Sequence, residues 1–220
     1  MLRSLLKRLF FKNSYLSYSY LGEDRTFKFF FPEKTKGIYV DVGANHPVIY
    51  SNTYDLYQSG WSGLVIDPLP KHKEVFLKTR PRDVYAEYAI DSTEGQKTFI
   101  ITKDDRRSGL EENDQDLQTM TTISKKCTVK TIPLKDLLLK NNIPKSFDFL
   151  NIDVEGHELT TLKTLDLDLF RPKLILVEIH NFNISEAAEH PIVQFMNDKK
   201  YKLHSYAMIN AYFVEITPTD

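Results

Sequence analysis

From Gly37 onward, short apolar runs alternate with stretches whose apolar residues recur at helical spacing. Gly37-Ile38-Tyr39-Val40-Asp41-Val42 predicts a buried strand, and Thr53 to Ser59 a helix. Gly63 to Asp67 predicts a second strand, stopped by Pro68 and Pro70. A helix over Lys71 to Thr79 and a strand near Val84 to Ile90 come next. Thr98 to Thr102 and Cys127 to Ile132 read as further strands. The polar stretch between them, Lys103 to Lys126, reads as a long loop, and its position favours a lid. Leu134 to Lys140 is helical, Phe147 to Asp153 is a strand, and Glu158 to Leu165 is the next helix. Leu174 to His180 is a continuous apolar run, the signature of a strand buried on both faces of a parallel sheet. A helix over Glu186 to Lys199 precedes a hairpin of Tyr201 to Met208 and Ala211 to Thr217, turning around Asn210.

Strands separated by helices imply an α/β fold with a mostly parallel, doubly wound sheet, here closed by a C-terminal antiparallel hairpin. The expected organisation is an N-terminal helical segment, residues 1–36, on a main domain, residues 37–220, with no repeat or linker between them. A length of 220 residues suffices for one such core.

Charge narrows the function. A formal net charge of −1 argues against bulk electrostatic binding of nucleic acid, so no nucleic-acid partner is expected. No segment has the apolar length of a membrane span. Met1 to Lys12 interleaves Leu2, Leu5, Leu6, Leu9 and Phe10 with Arg3, Lys7, Arg8 and Lys12, a basic amphipathic helix without a signal-peptide cleavage pattern. It is expected to pack on the domain, with peripheral contact to an anionic membrane as the alternative. The single Cys127 allows no intrachain disulfide and fits a reducing compartment, so the expected location is the cytoplasm, with the inner membrane face as the variant.

In open α/β sheets, ligands bind beyond the carboxyl ends of the strands. Three polar clusters fall at such ends. In Asp41-Val42-Gly43-Ala44-Asn45, Gly43 permits a tight turn and close backbone approach. His46 and Pro47 follow, so there is no glycine cradle for a pyrophosphate. That disfavours a nicotinamide oxidoreductase and suits a nucleoside cofactor without phosphates, such as S-adenosylmethionine. Asp67 ends the second strand, where a carboxylate can hold both ribose hydroxyls. The third cluster joins Asp153, Glu155 and Glu158 to Glu178 and His180. If their strands are neighbours, an imidazole and carboxylates converge where a hydroxyl acceptor must lose its proton. Asp153 and Glu178 could alternatively hold a divalent cation. Each cluster also has a plain structural reading, as turn, cap or strand-end residues.

The run Tyr39 to Pro47, with Ser51-Asn52-Thr53, Gly60-Trp61-Ser62-Gly63 and Ile66-Asp67-Pro68, closely resembles the FkbM family of S-adenosylmethionine-dependent methyltransferases. So do Phe149 to Glu158, Arg171-Pro172 and Val177 to His180, while Ser17 to Asp24 resembles the family's N-terminal S-Q-x-G-E-D motif. Tyr20 stands where the family carries Gln, and Asp67 where it more often has Glu. The resemblance implies a Rossmann-like class I methyltransferase fold and O-methylation of a sugar, in a bacterial surface glycan or its nucleotide-activated precursor, or of a polyketide-type hydroxyl. It places the cofactor on Asp41, Gly43, Ala44, Asn45, Ser51, Asn52, Asp67 and Pro68, with Asp91 towards the adenine. It places the acceptor beside Asp153, Glu155, Glu178 and His180. Methylation of another small-molecule hydroxyl or amine, and a non-catalytic binding module, are the alternatives.

Overall fold

The computed structural model describes residues 16–111 and 123–216. The expected basic helix at Met1 to Lys12 and the middle of the polar stretch lie outside these residues. Helix α1 (Glu23–Phe30) precedes β1 (Ile38–Val42), α2 (Tyr54–Gln58), β2 (Ser62–Ile66), α3 (Pro70–Thr79) and β3 (Val84–Ala86). Then come β4 (Ala89–Ile90), β5 (Gly95–Thr102), β6 (Gly109–Leu110), β7 (Ile123–Ile132), α4 (Leu134–Lys140) and β8 (Phe149–Ile152). Helix α5 (Glu158–Thr164), β9 (Leu174–Glu178), α6 (Pro191–Asp198), β10 (Tyr201–Ala207) and β11 (Asn210–Glu215) complete the order.

The main sheet runs β10-β11-β9-β8-β1-β2-β3. β1, β2, β3, β8 and β9 are parallel, and β11 lies antiparallel between β9 and β10. The order reverses between β1 and β8, which is the switch point where such sheets bind ligands. Alternation along the strands sorts the core. Val40, Val42, Leu150, Ile152, Ile175 and Val177 pack on one face. Tyr39, Phe149, Leu174 and Leu176 pack on the other, with Trp61 and Phe76. On that second face the next residues towards the carboxyl ends are Asp41 and Asn151, paired in register. An apolar face thus turns polar at the switch point.

The N-terminal segment is part of this core: Phe27 is buried and its ring lies 4.4 Å from that of Phe149. No helix among the described residues is long and apolar enough to cross a membrane.

Several expectations are corrected. The single strand expected over Val84 to Ile90 is two, because the chain leaves the main sheet after Ala86 and Ala89 joins a second sheet ordered β4-β7-β5-β6. The stretch from Lys103 to Lys126 is not all loop: it holds a 3-10 turn at Asp105–Arg107, all of β6 and the start of β7. Pro70 opens α3 at its first turn, where its missing N–H costs nothing. The helix expected over Glu186 to Lys199 breaks at His190, which is extended ahead of Pro191 and caps α6 by accepting the Ile192 N–H at 3.3 Å. The hairpin turns at Met208 and Ile209, with Met208 left-handed at φ 60°, and Asn210 lies inside β11. β9 ends at Glu178, so His180 sits in the turn that follows.

Candidate active site

The Asp41–Asn45 turn is fixed from two sides. The N–H groups of Gly43 and Ala44 donate to the carbonyl of Ile66 at 3.0 and 3.1 Å, tying it to the end of β2. Gly43 has φ +83°, and a Cβ built there would lie 1.7 Å from the Asp153 carbonyl oxygen. Only glycine allows β1 to turn this close to β8. Asn45, also left-handed at φ 47°, donates its N–H to Asp67 Oδ2 at 3.0 Å.

Asp67 is buried at the tip of β2. Its Oδ1 accepts the Leu69 N–H at 2.8 Å and lies 3.2 Å from His72 Nδ1. A carboxylate offers about four acceptor sites. With Oδ1 met by Leu69, His72 and, at 3.5 Å, the Tyr85 hydroxyl, and Oδ2 by Asn45 alone, the open lone pair is on Oδ2, beside the Gly43 turn.

Two cavities meet at this turn and share Gly43, Asn45, Arg106 and Asp153. The first lobe is apolar, walled by Leu69, Ile90, Phe99 and Leu110, with Asp67, Pro68 and His157 at its edge. Its roof is the second sheet, through Phe99 of β5 and Leu110 of β6. A flat heterocycle fits between such walls, with its ribose reaching Asp67. Asp91 does not line either cavity. It stands behind His157, whose Nε2 is 3.1 Å from Asp91 Oδ1, and it pairs with Lys97 Nζ at 2.7 Å. Burial works to raise the Asp91 carboxyl, but Lys97, the Ser92 N–H and His157 outweigh it and hold it below the usual carboxylate range.

The second lobe is polar and holds Asp41, Ser51, Asn52, Asn151, Asp153, Glu155, Glu178 and His180. Behind its floor a chain of hydrogen bonds runs from Asn52 to Asn151 (3.1 Å), from Asn151 to Asp41 (2.8 Å) and from Thr53 to Asp41 (2.5 Å). Arg80, fully buried, closes this network. It donates to Asp83, Tyr39, Thr53, Ser51 and the Pro47 carbonyl, at distances from 2.7 to 3.3 Å. Burial raises the Asp41 carboxyl, opposed first by the charge of Arg80.

The β8–β9 register pairs Ile152 with Val177, so Asp153 and Glu178 follow side by side at the ends of adjacent strands, and their carboxyls interact. Burial, then the Glu178 charge, raises Asp153 well above its ordinary range. Burial pushes Glu178 to about 7 and, with Asp153 next in effect, Glu155 to about 8. His180 Nε2 lies 3.4 Å from Glu178 and 3.8 Å from Glu155. Glu155, Glu178 and His180 bring ligand atoms within 4.8 Å of one another, a set that could hold a divalent cation. Glu178 belonged to the pair expected for that role; Asp153 is not in the set, and Glu155 and His180 stand beside Glu178 instead.

The structure therefore gathers Asp41, Gly43, Ala44, Asn45, Ser51, Asn52, Asp67, Pro68, Asp153, Glu155, Glu178 and His180 around one continuous cleft. Sequence reasoning assigned no role to Asn151, although a lone Asn within the apolar strand Phe149–Ile152 was a visible signal. It also missed Arg106, Arg107, Tyr50 and Asn210, which line the second lobe. Asn210 donates to Glu23 Oε1 at 2.7 Å, a pairing across 187 positions that no local pattern discloses.

A doubly wound sheet with a two-lobed cleft at its switch point, one lobe apolar and one rich in carboxylates, is the architecture of a Rossmann-like class I methyltransferase fold. The family model "Methyltransferase FkbM domain" matches residues 41–203. The chain belongs to the FkbM methyltransferase family and is an S-adenosylmethionine-dependent methyltransferase. Among solved structures, the chain is similar to Burkholderia thailandensis 1,6-didemethyltoxoflavin-N1-methyltransferase with bound 1,6-didemethyltoxoflavin and S-adenosylhomocysteine. The TM-score is 0.49 at 9% identity, covering 98% of this chain and 88% of the other. No curated protein matches.

The raised carboxyls carry a consequence for stability. Glu155 and Glu178 hold protons in the folded chain at pH values where the unfolded chain has released them. Folding stability therefore falls as pH rises from the ordinary glutamate value of 4.5 towards about 8. S-adenosylmethionine is a net cation, so its stabilising effect grows across the same window. Melting temperatures with chelator present, with and without S-adenosylmethionine, are expected to diverge with rising pH. Glu155→Gln should flatten the unliganded curve, and parallel curves for the wild-type chain would show that these groups titrate elsewhere.

Proposed function

We propose that this methyltransferase acts on oxygen, and that its acceptor is a sugar hydroxyl in a bacterial surface glycan or in its nucleotide-activated precursor. The observation that carries the reading is the adjacent carboxyls of Asp153 and Glu178, with His180 Nε2 3.4 Å from Glu178, all lining the carboxylate-rich lobe. A hydroxyl is a poor nucleophile until its proton has somewhere to go, and a base is most effective when its pKa lies near the working pH. Glu178, pushed to about 7, meets that condition.

Bound S-adenosylmethionine supplies an electrophilic methyl group. Asp67 would take its ribose hydroxyl through the open lone pair of Oδ2, and the Gly43 turn would admit its sulfonium close to the backbone. Asp41, Ser51 and Asn52 would face its amino-acid end. The Asp153–Glu178 pair would receive the acceptor's proton as the new C–O bond forms and the C–S bond breaks, leaving a neutral thioether. His180 and Glu155 would orient the hydroxyl. The same side chains could instead act through a divalent cation, in which case turnover is chelator-sensitive.

The test incubates the protein with S-adenosylmethionine and a panel of sugar nucleotides, reading products by mass. The expected result is a gain of one methylene with methyl-ether connectivity, lost in Glu178→Gln. Methylation on nitrogen, or of non-sugar hydroxyls alone, would overturn it. Independently, S-adenosylmethionine should raise the melting temperature of the wild-type chain but not of Asp67→Ala.

A further inference from the structure

We propose that the mouth of the second lobe is an acceptor subsite for an oxyanion, taken by Arg107, with the adjoining ring of the acceptor laid against Tyr20 and Tyr50. The proposal rests on the methyl-transfer reading and specifies the charge of the acceptor.

Four observations point to it. First, the lobe is rich in carboxylates, yet it is lined by two cations as well. Arg106 and Arg107 lie side by side in the 3-10 turn Asp105–Arg107, and both line the cavity. Second, the two arginines are in different states. Arg106 is committed: Asp104 accepts from its Nε and terminal nitrogen at 2.8 and 2.5 Å. Its guanidinium lies 4.6 Å from the Tyr50 ring centre and 5.2 Å from that of Tyr20. Arg107 is exposed, and among the described residues no ion pair is made by it.

Third, Tyr20 and Tyr50 meet edge to face at 5.3 Å, with 59% and 50% of their surfaces exposed. Aromatic surface left open beside a polar cleft is a platform for a ring. Fourth, Tyr50 is held at φ 59°, a left-handed conformation that is uncommon and costly for a bulky residue. From that position Tyr50 lines the lobe, and Arg106 braces its ring.

A simpler role for Arg107 is to offset the carboxylates, since its charge does lower the Glu155 carboxyl against the pull of burial. That role predicts a shifted pH profile and no selectivity among ligands. The subsite predicts selectivity. An oxyanion bound by a guanidinium is held by charge-assisted hydrogen bonds of fixed geometry, with an affinity that salt weakens. Phosphate of a nucleotide sugar and carboxylate of a uronic acid share this chemistry.

The experiment is calorimetric titration of protein preloaded with S-adenosylhomocysteine, using UDP-glucose, methyl glucuronide and neutral methyl glucoside. At least one charged probe is expected to bind about tenfold or more tightly than the neutral glycoside, an advantage that shrinks as ionic strength rises. Arg107→Gln should remove the advantage and Arg107→Lys should restore part of it. Whether UDP-glucose or methyl glucuronide shows it separates phosphate from carboxylate. Equal affinities for charged and neutral probes, no binding of either charged probe, or an advantage that survives Arg107→Gln would each overturn the subsite. Failure of the loading step itself would instead count against the methyl-transfer reading, so the two failures are distinguishable.

Discussion

Gly43→Ala is expected to yield a chain that no longer binds S-adenosylmethionine and has lost much of its stability. Two costs combine. Alanine at φ +83° sits in the left-handed region, a penalty of about 1–2 kcal/mol. Its Cβ would also lie 1.7 Å from the Asp153 carbonyl oxygen, a backbone atom that cannot swing aside as a side chain could. Relieving that overlap requires β1 and β8 to separate at their tips, with an overpacking cost of about 1–3 kcal/mol. The displacement moves the Asn45 N–H away from Asp67 and carries Asp153 off Glu178. The apolar lobe and the Asp153–Glu178 carboxyls are therefore disturbed together. Urea unfolding should show a lowered midpoint, and calorimetric titration no heat from S-adenosylmethionine. Wild-type affinity in the variant would mean that the turn is not where the cofactor sits.

The second large effect is at Arg80. Arg80→Ala removes one partner of a buried charge pair and leaves Asp83 without its cation, a change of the kind that costs about 3–5 kcal/mol. Against a typical total stability of about 5–15 kcal/mol, much of the variant should be unfolded at modest denaturant. Arg80 also holds the Pro47 carbonyl and the hydroxyls of Ser51 and Thr53, so whatever folds should bind cofactor weakly. Replacing both charges, as Arg80→Met with Asp83→Leu, should cost less stability than Arg80→Ala while still weakening cofactor binding. If the double variant recovered full affinity, Arg80 would be a folding residue with no positioning role.

The parallel sheet was legible because its central strands are buried on both faces and leave nearly continuous apolar runs, broken only by Asp41 in β1 and Asn151 in β8. Asp153 and Glu178 were legible for the same reason: they are the first charges after two such runs, and parallel register puts run ends together. What was hidden had no local signature. β6 is two residues long and exists because Phe99 and Ile100 pair with Leu110 and Gly109. The split after Ala86 follows from where β7 offers a partner to Ala89, a contact made from 42 residues further along. Asn210 has the side chain that turns favour, but its hydrogen bond to Glu23 holds it in a strand and leaves Met208 to take the left-handed position. Arg106 and Tyr50 belong to loops whose pairing is set by tertiary approach.

The division of the cleft between two sheets has a consequence for how such an enzyme can change. The apolar lobe is roofed by the small sheet, whereas the other lobe is lined from segments carrying Tyr20, Tyr50, Arg106 and Arg107. Substitutions in those segments need not disturb Asp67 or the apolar walls around Leu110. Acceptor preference can drift among relatives, or be redirected by design, while the methyl donor stays the same. The exception is Arg106, which lines both lobes and couples the two choices.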